Sequence, residues 1–176
     1  MTHLLPYRGI HPRLAASVFT APSASIVGDV EVGEESSIWY GAVLRGDVMP
    51  IRIGARTSIQ DNSVVHATGG WHDATVGDDC TVGHGVILHG CRVGHRVLVG
   101  MGSIVLDAAE IGDDVMIGAG SLVTARAKIP AGVLALGRPA KVIRELTSEE
   151  RERILEASSL YRRYGREHRE SVESTR

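Results

Sequence analysis

Aliphatic residues recur every six positions along most of this chain: Ile26, Val32, Ile38 and Leu44; Ile53, Ile59 and Val65; Val76, Val82 and Leu88; then Val93, Val99, Val105, Ile111, Ile117, Val123 and Ile129. A fixed short period of this kind signals a repeat architecture. Each hexad supplies one short strand and one turn, three hexads make a coil, and coils stack through backbone hydrogen bonds along the axis. The pattern therefore predicts an all-β fold, a parallel β-solenoid. Taken by threes, the aliphatic positions fall into three columns, one for each side of the coil. The first is Ile26, Leu44, Val65, Leu88, Val105 and Val123; the second begins at Val32 and the third at Ile38. Breaks in the frame all fall at one corner, after the first column. About three residues are added between Leu44 and Ile53, about five between Val65 and Val76, and one is missing before Val93. Insertions confined to one edge of a solenoid often mark its working face.

Four segments follow. Residues 1–22 read as an irregular N-terminal lead-in, since Pro6, Pro12 and Pro22 discourage long helix. Residues 23–144 are the solenoid. A helix over 145–170 opens with a capping box, Thr147 and Glu150, and carries an apolar stripe through Ile154, Ala157 and Tyr161. Residues 171–176 have the composition of a disordered tail. Glycine follows the aliphatic residue in many hexads, as in Gly33, Gly54, Gly77 and Gly94, and is expected to relieve a corner conformation that Cβ penalises.

Composition narrows the picture. Hydrophobic residues make up 43% of the 176, yet there is a single Phe, which suits a narrow core of Val, Ile, Leu and small residues. A formal charge of -2 with no isolated basic block gives no electrostatic case for nucleic acid or an anionic membrane. No apolar run has signal-peptide or membrane-spanning length, and a reducing cytoplasm is the expected setting. Arg8, Arg13 and Ser17, all ahead of the first acidic residue Asp29, faintly imitate an organelle transit peptide, but an ordinary first coil is the preferred reading. Cys80 and Cys91 share one hexad position with Val30, Ser36, Ala42, Thr57, Ser63 and Val86, so both are expected to be buried structural thiols.

The candidate chemistry lies on the corner after the first column. The residues following its aliphatic positions include Arg45, His66 and His89, which therefore stack on successive coils. Two imidazoles one strand spacing apart can share a metal. His84 belongs to the third column, stacked on Asp61. One chain thus offers two ligands at one edge and a third at another, which points to a homotrimer with the metal between subunits. The remaining histidines, His3, His11, His72, His95 and His168, read as solvated surface residues. Arg45 and Asp47 admit a bland reading as a surface ion pair worth little.

Arg45-Gly46-Asp47, Gln60-Asp61-Asn62, His66, His84 and His89 together resemble the γ-class carbonic anhydrases and their bacterial relatives, over roughly Pro6 to Tyr164. The resemblance implies a left-handed hexapeptide-repeat β-helix, a hand that periodicity alone does not fix. It implies Zn2+, or Fe2+ or Co2+, on His66, His84 and His89, with a metal-bound hydroxide hydrating CO2 to bicarbonate. It further implies that Gln60 orients the metal-bound solvent, that Arg45, Asp47 and Asp61 serve the subunit interface and support the ligands, and that Tyr161 sits near the site. One departure bears on rate. The loop from Ala67 to Ala74 carries no Glu, and the loop from Arg45 to Ile53 has no acidic residue beyond Asp47, so the glutamates that the family uses for proton transfer are missing and hydration is expected to be slow. The competing readings are a hexapeptide acyltransferase, which needs one catalytic His and no metal, and a metal-stabilised assembly protein with little turnover.

Overall fold

The computed structural model describes residues 3–174. Within them the three columns stand in register. Ile26 pairs with Leu44, Leu44 with Val65, Val65 with Leu88, Leu88 with Val105 and Val105 with Val123, all in parallel. The second column runs in the predicted order from Val32 to Ile129 and the third from Ile38 to Ile117. Every aliphatic residue of these columns is buried, and so are the small hexad residues between them except Ala127, which is half-buried. Ser25–Val32 and Val43–Ile53 run unbroken around the corner between the first two columns, joining them in one sheet, and the third column forms a second. Both cysteines are buried and free; loss of solvent pushes each thiol up to about 12, so they stay protonated as small core residues.

Two expected boundaries move. The N-terminal segment is not an irregular lead-in: His3–Leu5, Arg13–Leu14 and Phe19–Thr20 set Leu4, Leu14 and Thr20 on Ile26, Val32 and Ile38. These residues form a first coil. Its prolines fall between strands, where no ladder N–H is needed, and Thr20 in an aliphatic column hides the period. At the other end, Val133–Gly137 and Ala140–Glu145 form an antiparallel hairpin on the third-column sheet, and the helix follows over Ser148–Glu173. Its capping box is present, with Thr147 Oγ1 accepting from the Glu150 amide and Glu150 accepting from the Thr147 amide. Residues 171–173, expected as disordered tail, continue the helix; residues 175 and 176 lie outside the described residues. The helix returns along the third-column sheet, burying Ile154 and donating from Ser158 to the Arg56 carbonyl at 2.9 Å.

Turn chemistry corrects the reading of the repeated glycines. The left-handed backbone falls two residues later in the hexad, at Glu35, Arg56, Asp79, Arg96 and Asp114. The glycines answer to stacking instead: a Cβ on Gly77 would stand 2.5 Å from the Gly94 carbonyl oxygen of the next coil. Gly77→Ala should therefore cost about 2 kcal/mol and lower the thermal midpoint by roughly 4–8 °C. A thermal melt checks it; an unchanged midpoint would mean that the coils part without strain.

The left-handed residues also make a ladder of alternating charge. Arg56 forks onto Asp79 with two hydrogen bonds of 2.8 Å, and Arg96 forks onto Asp114 at 2.7 and 2.9 Å. Hydrogen bonds from these guanidiniums hold the Asp79 and Asp114 carboxyls below the usual carboxylate range.

Candidate metal centre

His66 ends the strand Val64–His66 and His89 ends Ile87–His89, and parallel pairing sets one residue on the other. Their ring centroids are 5.1 Å apart, and His66 Nδ1 faces His89 Nε2 at 3.2 Å. Each ring is turned by a carboxylate behind it. His66 Nε2 lies 3.2 Å from Asp47 Oδ1, and His89 Nδ1 lies 3.0 Å from Asp107 Oδ1, which also accepts from Thr68 Oγ1 at 2.8 Å.

A carboxylate only accepts, so these contacts fix the imidazole protons. Burial works against ionising Asp47, yet hydrogen bonds from Arg45 and His66 outweigh it and keep the carboxyl below its ordinary range. Asp107 is held down likewise by Thr68 and His89 against its burial. Burial, aided by the Arg45 cation, also holds His66 below the usual imidazole value, so it is neutral at pH 7. With Asp47 and Asp107 accepting from the outer ring nitrogens, His66 Nδ1 and His89 Nε2 are the pair turned toward each other and left for a cation. Two ligands of one tetrahedral ion, at the usual ~2.0–2.1 Å to each nitrogen, stand about 3.3 Å apart. The observed 3.2 Å is therefore a spacing that a shared cation fits.

His84 lies apart from this pair, at the corner that leads from the third column into the first. Its Nδ1 is 2.8 Å from Asp61 Oδ2, leaving Nε2 free on a half-exposed ring. Gln60, beside Asp61, is buried. Tyr161 is on the helix, packed edge-on against Trp39 at 5.5 Å, and burial and the charge of Asp61 raise its hydroxyl pKa. It belongs to the His84 side, not to the His66–His89 corner. Among the described residues, no three His, Cys, Asp or Glu side chains of one chain gather as a ligand set. Nor does a groove of about 770 Å³ along the second-column face, lined by Arg13, Arg52, Val76 and His95, hold any of the expected site residues.

Between the two ligand edges lies the outer surface of the first column. Its outward positions are Ser25 and then Val43, Val64, Ile87, Ile104 and Leu122, none of them fully buried and all but the first apolar. The equivalent positions on the second column are Glu31, Arg52, Thr75, Arg92, Glu110 and Lys128. Contrast between one apolar face and one charged face marks the first as the surface to cover.

Asp107 is the site residue that sequence reasoning missed. Its hexad position is visible, two after Val105, but the coil above His89 carries no His and so drew no notice. Asp107→Ala should lower metal affinity roughly 10–100-fold while the solenoid stays folded. Metal titration read beside circular dichroism checks it; unchanged affinity would remove Asp107 from the support of His89.

The fold and this corner define a hexapeptide-repeat solenoid protein, and the family of bacterial transferase hexapeptide repeats matches residues 90–125. The chain is 52% identical to a carbonic anhydrase of Geobacillus kaustophilus, over 92% of this chain and 86% of that one. To the mitochondrial gamma carbonic anhydrase 1 of Arabidopsis thaliana it is 42% identical, over 89% of this chain but 59% of the longer plant protein. It belongs to the γ-class carbonic anhydrase-like family. A Bacillus cereus crystal structure described as a candidate acetyltransferase superimposes with a TM-score of 0.93 at 48% identity, over 95% of this chain and 96% of that one.

Proposed function

We propose that this protein is a metal-dependent lyase that interconverts CO2 and bicarbonate, acting as a homotrimer with metal sites between subunits. The carrying observation is the pair of facing imidazole nitrogens 3.2 Å apart at one edge of an apolar face whose other edge bears His84. Closing three such faces around an axis would set the His66–His89 edge of one chain against His84 of the next. Neutral nitrogen donors suit Zn2+, and equally Fe2+ or Co2+. Once bound, such an ion supplies Lewis-acid chemistry, lowering the pKa of water so that hydroxide is at hand near neutral pH.

The chain's own residues hold the site. Asp107, Asp47 and Asp61 fix the ring orientations and tautomers of His89, His66 and His84, so little reorganisation accompanies binding. Arg45 holds Asp47 at 2.5 Å, keeping its carboxylate turned to His66. Gln60 is assigned the orienting of solvent and Tyr161 a place at the rim, from the neighbouring half of the site. CO2 carries no charge, so it requires no charged cradle.

A cytoplasmic setting fits two buried free thiols. No described helix is long and apolar enough to cross a membrane. The test is metal analysis of protein purified without added metal, followed by a hydration assay. About one ion per chain with hydration activity supports the proposal. A second reading, acyl transfer from a thioester, is favoured by the description of the Bacillus cereus structure. It needs no metal, so full acyl-transfer activity in a metal-free preparation would replace the lyase reading. Metal present with neither activity would favour a metal-stabilised assembly protein.

A further inference from the structure

The helix and the first coils enclose a cavity of about 130 Å³, lined by Ser17, Glu35, Arg162, Arg166 and Arg169 with Phe19 at its wall. Three arginines at i, i+4 and i+7 of the helix share the face turned toward the coils. Glu35 is the one carboxylate among the lining residues, and it serves two of the guanidiniums at long range, 3.5 Å to Arg162 and 3.6 Å to Arg166. Arg169 reaches the Ala16 carbonyl at 3.3 Å. The other carboxylate that feels Arg162, Asp79, is already forked onto Arg56. The lining thus carries two positive charges more than negative ones. Furthermore, Arg162 Nε is shielded from solvent and has no hydrogen-bond partner among the described residues. A buried donor left unpaired is destabilising, and an oxygen acceptor within its reach would relieve it.

We propose that this crevice binds a small oxyanion, of the phosphate or bicarbonate class, between Arg162, Arg166 and Arg169. Planar guanidiniums match the paired oxygens of either anion, and the excess charge favours it. The crevice adjoins the aromatic cluster in which Tyr161 and His168 of the same helix pack on Trp39, so an anion there would hold that helix to the first coils. Because the site owes nothing to the metal corner, it is independent of the lyase reading.

The experiment is calorimetric titration of the full metal-loaded protein with sodium phosphate, and separately with bicarbonate, at ionic strength held constant with chloride. One saturable site per chain is expected for at least one of them, weakened at least tenfold by Arg166→Ala and by Arg169→Ala. Arg163→Ala, on a residue outside the lining, should leave it unchanged. His89→Ala should also retain the site, which separates it from any anion held at the metal. Preference for phosphate or for bicarbonate names the source. No saturable binding of either anion, equal binding in the Arg166 and Arg169 variants, or loss with His89 alone would overturn the proposal.

Discussion

Mixed trimers of His84→Ala and His89→Ala subunits should regain metal that neither variant holds alone. The first retains the His66–His89 edge and the second retains His84, so a site is whole wherever the first kind of subunit precedes the second around the ring. Every mixed trimer then has one such junction. Random assembly of equal amounts restores about one site in four relative to the unmodified protein. Metal analysis of the unfractionated assembly reads this directly, the purified mixed trimer should hold about one site in three, and hydration activity should return in proportion. Zero recovery in trimers of verified mixed composition would mean that the three histidines do not meet across a subunit boundary.

Hydration should be limited by proton transfer and relieved by small buffer bases. Each turnover must export a proton, and fast turnover needs an acceptor with pKa near the working pH. The structure narrows the candidates. Asp73 is drawn to Arg92 at 3.2 Å, away from the corner, and the raised pKa of Tyr161 makes its hydroxyl a poor relay. His72 remains: its charge is felt by Asp107, the carboxylate behind His89. Imidazole should raise the turnover by about tenfold or more, less than the roughly 10²–10⁴-fold that a positioned general acid–base group contributes. His72→Ala should deepen the buffer dependence. Stopped-flow assays over a series of buffer concentrations decide it; a high rate indifferent to buffer would reveal an efficient shuttle elsewhere.

How much of this was legible from residues alone depended on whether the signal repeated. The columns were, because burial selects Val, Ile or Leu at every sixth position and all the coil-to-coil pairs from Ile26 onward follow from it. His66 over His89 was, since removing the insertion after Val65 restores the frame. Asp107 was not, because its role depends on the rotamers of His89 and Thr68, which no spacing encodes. The strands and register of the first coil escaped because ten residues, not six, separate Leu4 from Leu14 and an end coil keeps Leu4 half exposed. The glycines were seen but given the wrong cause. Composition identifies where Cβ is absent, and only the neighbouring coil shows what it would have struck.

The alternating ladder of Glu35, Arg56, Asp79, Arg96 and Asp114 governs how this solenoid can change length. A single coil from inside the ladder cannot be removed without bringing like charges face to face: loss of the coil that carries Arg56 would set Glu35 on Asp79, and loss of the next would set Arg56 on Arg96. Two adjacent coils can be removed, or two inserted, with the alternation intact. Along this corner the modular unit of growth is therefore a pair of coils, an even-number rule written in charge rather than in hydrophobic period.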